Sequence, residues 1–289
     1  MKKITSAFSY TFFGTSLFAV HFLESIARTN GDLPTLIVTN PDRESGRKLA
    51  LTPPPVKLWA EKKAIPILQP EKLDSALGQT LRQISPDFFL VVSYGKILPK
   101  EIFDIPPRKT LNLHPSLLPR YRGPSPIESQ ILADDRELGV TLIQIDEQMD
   151  HGPIIAQKKI SPVEWPVDRL SLEKYLAEAG AALFNNTLTQ WLSGTLALRA
   201  QDEAAATVTK KVKKADGEID LRANPRETFL KIMAYAGWPR AYFVIKKNSR
   251  PLRITVTKAS FTDGKLSIEK VIPEGRKEVS WQEFERNYI

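Results

Sequence analysis

The stretch "LNLHPSLLPRYRG", Leu111–Gly123, decides how the chain is read. A strand alternates its faces, so Leu111 and Leu113 point one way while Asn112 and His114 point the other. An amide and an imidazole thus stand side by side where an apolar strand gives out into a Pro-bounded, Arg-containing loop. In open α/β sheets, ligands bind at that end of the strands. The flanking sequence therefore has to build such a sheet.

It does so on both sides. Near the start, "YTFF" reads as a strand, "GTS" as a turn, and the next stretch as a helix with Leu17, Val20, Leu23 and Ile26 on one side. "TLIVT" (35–39), "IPIL", "DFFLVV" (87–92), "TLNLH" (110–114) and "VTLIQI" (140–145) read as strands. Helical patterns at 56–63, 72–84, 126–133 and 169–193 lie between or after them. Apolar strands alternating with helices predict an α/β fold, a Rossmann-like, mostly parallel sheet with right-handed crossovers. "NPDRESGRKLALTPPP" (40–55) reads as a loop. Residues 193–208 mix small, charged and β-branched residues without a period and read as a linker. One further helix, 225–236, precedes the strand candidates "YFVIKK", "LRITVTKASF", "KLSIEKV" and "VSWQEF", the pattern of a small β-barrel. The expected organisation is a first domain at 1–192, a linker at 193–208 and a second domain at 209–289.

Bulk properties narrow the chemistry. The chain has 289 residues, 42% hydrophobic and 26% charged, enough to bury a globular core. With no cysteine, disulfides, thiol nucleophiles and cysteine-ligated zinc are excluded, and no metal is expected. The opening apolar stretch is interrupted by Ser9, Thr11, Gly14, Thr15 and Ser16, which favours strand–turn–helix over a secretory leader. No run is long and apolar enough to span a membrane, and a cytoplasmic location is expected. Charge is uneven. Residues 1–206 balance 23 Lys+Arg against 23 Asp+Glu, whereas 207–289 hold 18 against 10, so the net +8 lies entirely in the last part. A basic C-terminal part points to a polyanionic partner, most simply nucleic acid, against the plainer alternative of a solvated lysine-rich face.

Asn112, His114 and an aspartate of "IDEQMDHGPII" (145–155) can act together. An imidazole moves a proton near neutral pH, an amide N–H donates to a developing oxyanion, and a carboxylate fixes the imidazole tautomer. The set suits acyl transfer to an amine. No nucleophilic side chain is evident, so direct transfer fits better than a covalent intermediate. Spacing alone does not choose between Asp146 and Asp150. A lone histidine at a strand end is usually structural, but "SLLPRYRG" is longer and more polar than packing requires.

At this point the residues carry a resemblance. "LNLHPSLLPRYRG" followed by "PIESQILADDRELGVTLIQIDEQMDHGPII" resembles the 10-formyltetrahydrofolate-dependent formyltransferases, and most of all the branch acting on methionyl-tRNA. The likeness covers nearly the whole chain. "FFGTSLFAVHFLESI" is similar to the family's opening unit, "VVSYGKILPKEIFDIPP" to its folate-pocket strand and loop, and "GEIDLRANPRETFLKIMAYAGWPRAYFVI" and "PEGRKEVSWQEFERNYI" to its C-terminal part.

The resemblance implies a catalytic trio of Asn112, His114 and Asp150, the last selected by the family's D-x-G pattern at Asp150–Gly152. It places Ser116, Leu117, Leu118 and Pro119 in the folate site, and Ser93, Tyr94, Gly95, Ile97 and Leu98 around the pterin. The implied co-substrates are 10-formyltetrahydrofolate and methionyl initiator tRNA, acted on by a monomer. Arg43, Arg47 and Lys48 would meet the tRNA acceptor end, and Lys210, Lys211, Lys213 and Lys214 lead into an OB-like barrel gripping the RNA backbone. Trp238 and Trp281 are expected in the core, His151 as an incidental loop residue and His21 on an outer helix face. In two places the chain departs from the family pattern. The loop after Gly46 is slightly short, and the barrel lacks strands between "KASFTDGKLSIEK" and "PEGRKEVSW", so it reads as shortened or partly open. The rival readings are a formyltransferase acting on a small amine, such as a nucleotide-linked amino sugar or glycinamide ribonucleotide, and a folate-dependent formate-releasing hydrolase. A non-catalytic RNA-binding protein would leave Asn112, His114 and Asp150 unexplained.

Overall fold

Strand β1, Tyr10–Gly14, is buried along its whole length, as expected of a strand covered by helices on both faces. The computed structural model that contains it describes residues 8–29, 31–45, 49–162, 164–247 and 249–288. After β1 come α1 (Leu17–Arg28), β2 (Leu36–Val38), β3 (Arg43–Ser45), β4 (Ala50–Thr52) and α2 (Pro55–Lys62). They are followed by β5 (Ile67–Leu68), α3 (Ser75–Ile84), β6 (Phe88–Val92), α4 (Lys100–Phe103) and β7 (Thr110–His114). The chain continues through α5 (Pro126–Leu132), β8 (Leu138–Gln144), β9 (Ile154–Ile160) and α6 (Arg169–Ser193). The last part holds α7 (Pro225–Ala234), β10 (Tyr242–Lys247), β11 (Arg250–Thr262), β12 (Lys265–Pro273), β13 (Val279–Ser280) and α8 (Trp281–Tyr288).

Seven strands form one sheet in the order β5-β2-β1-β6-β7-β8-β9, parallel from β5 to β7 and antiparallel at β8 and β9. The alternating faces of β1 show why helices cover both sides. Phe12 stacks on Phe22 of α1 at 6.0 Å, and Phe22 meets Phe184 of α6 at 5.9 Å. Phe13 turns the other way, to Phe89 at 5.1 Å and Tyr94 at 5.4 Å, in a cluster with Leu77, Leu81, Ile102 and Phe103. The buried stripe of α1 is centred on Phe22. Leu17, expected on that stripe, is 50% exposed because the helix is turned to bury the larger rings of Phe18 and Phe22.

From β1 the chain builds outward to β2 and β5, then returns to β6 and builds the other way. The direction reverses between β1 and β6, so their C-terminal ends frame the crevice of a doubly wound sheet. Residues 40–55, expected as a loop, contain the hairpin β3–β4, with Arg43 opposite Thr52.

The chain packs into two compact units. Unit 1 holds residues 1–124, 137–160 and 174–208, and unit 2 holds 125–136, 161–173 and 209–289. Residues 193–208, expected as a linker, are tied down within unit 1. Ile154 and Arg199 exchange backbone hydrogen bonds of 2.7 and 2.9 Å, and the Arg122 N–H donates to Thr207 O at 2.8 Å.

Unit 2 is built on a four-stranded antiparallel sheet in the order β10-β11-β12-β13. Asn224 caps α7 by accepting from the N–H groups of Arg226 and Glu227, with Pro225 in the first turn. Asp263 and Gly264, both at positive φ, make the tight turn between β11 and β12. Among the described residues β10 and β13 are not paired with each other, so the sheet is open. "VSWQEF" is strand only at Val279–Ser280 and then becomes α8. Trp281, Phe284 and Tyr288 recur at helical spacing, and Ser280 Oγ accepts the Glu283 N–H at 3.2 Å. Trp281 packs on Phe243 as expected, but Trp238 is 55% exposed. Gly237 and Arg240, both at positive φ, turn the chain out there, and Ala241 and Phe243 fill the core instead.

Candidate active site

Strand β7 delivers Asn112 and His114 to one face, and the 145–153 connection folds back over them. That fold-back depends on Gly152, where a Cβ would lie 1.8 Å from Gln144 O. Two residues earlier, Asp150 takes a positive φ of 54°. Its carboxylate then meets three elements. Oδ1 accepts from Asn112 Nδ2 at 3.1 Å, Oδ2 accepts from the Gly123 N–H at 2.8 Å, and His114 Nδ1 lies 3.5 Å from Oδ2. The His114 side chain is 5% exposed and that of Asp150 13%.

His114 Nε2 lies 2.8 Å from Tyr121 O. A carbonyl only accepts, so this nitrogen carries a proton, and Nδ1 is the nitrogen left to face Asp150. The tautomer is therefore set by the backbone of the "RYRG" turn, with the carboxylate on the opposite side of the ring. Asn112 donates one amide hydrogen to Asp150 and has a second for another acceptor. Asp146, the other candidate carboxylate, accepts from the Gln148 N–H and lies 2.6 Å from His151 Nδ1.

The turn after His114 is braced from below. Thr141 Oγ1, fully buried on β8, donates to Ser116 O at 2.7 Å and accepts from the Leu118 N–H at 3.0 Å and from Gln157 Nε2 at 3.0 Å. Gln157 also donates to Leu118 O at 2.7 Å, and Ser116 Oγ donates to Arg120 O at 2.7 Å. Ser116 and Leu118 are buried, while Leu117 and Pro119 are half-buried at the surface.

At the crevice between β1 and β6, three connections are stitched together. Thr15 donates its N–H to Ser93 O at 3.1 Å and its hydroxyl to Tyr94 O at 2.9 Å. Asn40 Nδ2 reaches Thr15 Oγ1 at 3.1 Å and Tyr94 O at 2.9 Å, and its Oδ1 is buried without a donor among the described residues. Tyr94 and Leu98 lie in the hydrophobic core, and burial pushes the Tyr94 hydroxyl up to about 12. Ser93 and Gly95 are exposed, and Ile97 is 80% exposed. Of the expected pterin-side group, Ser93 and Gly95 thus present backbone polar groups, Ile97 exposes an apolar side chain beside them, and Tyr94 and Leu98 pack beneath.

Arg43 is exposed on the β3–β4 hairpin, whereas Arg47 and Lys48 lie outside the described residues. Lys210, Lys211, Lys213 and Lys214 of unit 2 are all exposed. Among the described residues no group of His, Asp and Glu is arranged to hold a metal ion, and no helix is long and apolar enough to cross a membrane. Sequence periodicity gives no signal for the Tyr121 carbonyl or for Gln157. Thr141 has a faint one, a hydroxyl within an otherwise apolar strand.

The formyl transferase family model matches residues 10–188. The methionyl-tRNA formyltransferase of Chloroflexus aggregans is 42% identical over 234 residues, 80% of this chain and 74% of that protein. That of Geobacter metallireducens is 34% identical over 297 residues, covering 96% of this chain and 94% of its own length. Among solved structures, the methionyl-tRNA formyltransferase from Clostridium thermocellum matches with a TM-score of 0.62 at 18% identity, over 94% of this chain and 99% of its own. That structural likeness speaks for the fold, and the sequence matches speak for descent. On their strength the chain belongs to the formyl transferase family, among the methionyl-tRNA formyltransferases.

Proposed function

We propose that the protein transfers the formyl group of 10-formyltetrahydrofolate to the α-amine of methionyl initiator tRNA, working as a cytoplasmic monomer, with Asn112, His114 and Asp150 at the reacting centre. The observation that carries the assignment of the centre is the convergence of these side chains at the end of β7, with one amide hydrogen of Asn112 uncommitted among the described residues. In the reaction a bond forms between the amine nitrogen and the formyl carbon, the bond from that carbon to the donor nitrogen breaks, the amine loses a proton and the departing nitrogen gains one. Asn112 supplies its free N–H to the carbonyl oxygen as charge builds there, an interaction strongest in the transition state. His114 Nδ1 and Asp150 form the local proton-holding pair, because Nε2 is committed to Tyr121 O. Gly123 N–H and Asn112 hold the carboxylate in place for that task.

The residues suit a folate donor. Half-buried Leu117 and Pro119 offer apolar surface, Ser93 and Gly95 offer backbone polar groups, and the orphaned Asn40 Oδ1 offers an acceptor to an N–H-rich ring. Unit 2, with the net positive charge of the C-terminal part, serves as a shortened OB-like tRNA-binding domain, and Arg43 on the β3–β4 hairpin, with Arg47 and Lys48, meets the acceptor end.

The test is formyl transfer to charged initiator tRNA, with uncharged tRNA and a nucleotide-linked amino sugar as competing acceptors. Transfer to the charged tRNA alone is expected, and transfer to the amino sugar instead would replace the acceptor. Asn112→Ala and Asp150→Ala are each expected to lower kcat by about 100-fold or more, the scale for losing an oxyanion donor. Rates near that of the parent in either variant would remove these residues from the centre.

A further inference from the structure

Asp150 is held at its backbone as well as at its carboxylate. Gln201 Nε2 donates to Asp150 O and to Gly152 O, each at 2.8 Å. The other end of the same amide, Oε1, accepts from Arg122 Nε at 3.0 Å and Nη2 at 2.9 Å. Arg122, 7% exposed, pairs in turn with Glu203, whose carboxyl its guanidinium holds below the usual carboxylate range. Glu203 lies 3.4 Å from His151 Nε2, so His151 is part of this arrangement.

Arg122 sits between the two residues that grip the reacting pair, Tyr121 through its carbonyl on His114 and Gly123 through its N–H on Asp150. One amide group therefore spans the turn that orients His114 and the loop that carries Asp150. The strap that bears it is fixed at both ends, at Arg199 on Ile154 and at Thr207 on Arg122. Asp150 needs such restraint, because a non-glycine residue at positive φ persists only where its surroundings hold it.

We propose that Gln201 is a positioning residue: bridging Arg122 to the Asp150 and Gly152 carbonyls, it fixes the spacing of Asp150 from His114 and Asn112 without touching substrate. The inference rests on the reading of Asp150 as part of the reacting centre. It assigns a role in the transferase reaction to one residue of the 199–208 strap, Gln201.

Gln201→Glu separates positioning from mere support. Assayed well above the carboxylate range, it keeps an acceptor for Arg122 and so keeps the strap, but it sets a carboxylate against two carbonyl oxygens. The expected result is a melting temperature like that of the parent, KM for both substrates within about threefold, and kcat lowered by about 100-fold, the scale for a displacement near 1 Å at a reacting group. Gln201→Leu, which removes both ends of the bridge, should lower kcat at least as far. Asp202→Ala, which strips the cap from the short turn at Glu203–Ala205, loosens the strap elsewhere and should leave kcat within about twofold. Parent-like kcat in Gln201→Glu, or a loss that appears only in KM or only with unfolding, would overturn the proposal. Asp150→Ala is measured alongside. A slow Asp150 variant beside a fast Gln201→Glu removes the positioning role alone, whereas a fast Asp150 variant removes the reading beneath it.

Discussion

His114 has two ring nitrogens with different tasks. Nε2 is spent on a backbone carbonyl, and Nδ1 faces a carboxylate whose own backbone is tied down. Gly152 is required because the chain passes so close to Gln144 O that no side chain fits. A second residue-scale feature lies in unit 2. Glu128 is 18% exposed at its side chain, and burial pushes its carboxyl above the ordinary range, opposed by its own backbone hydrogen bond and by Arg169, and reinforced by Glu173. Arg169 is more closely engaged by Glu173, at 2.6 Å against 3.8 Å for Glu128. Because the folded state keeps its proton above the ordinary value of 4.5, native protein binds more protons than unfolded chain in that window. Stability therefore falls as pH rises through it. Glu128→Gln removes the effect. Its melting temperature should exceed that of the parent by about 2–4 °C at neutral pH, roughly 1 kcal/mol, with the gap closing toward acid. A gap independent of pH, or one that widens in acid, would show that Glu128 is compensated by its partners.

Among the elements, β7 and β8 carry the candidate site, and neither would hold it without cross-strand support. Leu113 on β7 points away from the crevice and packs against Gly180 of α6, leaving the opposite face for Asn112 and His114. Thr141 stands opposite His114 in the antiparallel register, which puts its hydroxyl under the Ser116–Leu118 turn. Helix α8 has a comparable role in unit 2. Phe284 is fully buried between Phe243, Trp281 and Tyr288 and closes one side of the small core. Phe284→Ala should destabilise that unit by about 3–5 kcal/mol, the usual cost of removing a buried aromatic ring. Denaturant unfolding followed by tryptophan emission would register it, and a loss below about 1 kcal/mol would mean that α8 is dispensable to the core.

At the scale of the whole molecule, the charge asymmetry is a property of chain composition, and its consequence is testable without further geometry. Changing Lys210, Lys211, Lys213 and Lys214 together to Gln should weaken tRNA binding most at low salt. It should also flatten the log–log salt dependence by about 0.7–0.9 for each phosphate no longer neutralised. An unchanged slope would assign the RNA backbone to other residues. The sequence by itself determined the alternation of strands and helices, because burial on both faces leaves uninterrupted apolar runs such as Phe88–Val92, and it determined that Asn112 and His114 share a face, because strand period is two. The mixed segment 193–208 has no period, so its attachment to Arg122 and Ile154 came only from tertiary hydrogen bonds. The end of "VSWQEF" was undecided locally, since a short aromatic run fits either strand or helix until Phe243 and its neighbours offer one face to pack on. Asp150 reaches His114, and Asp146 does not, because Gly152 turns the loop and Gly123 and Gln201 receive it. Those are interactions between residues far apart in the chain, which no local pattern encodes.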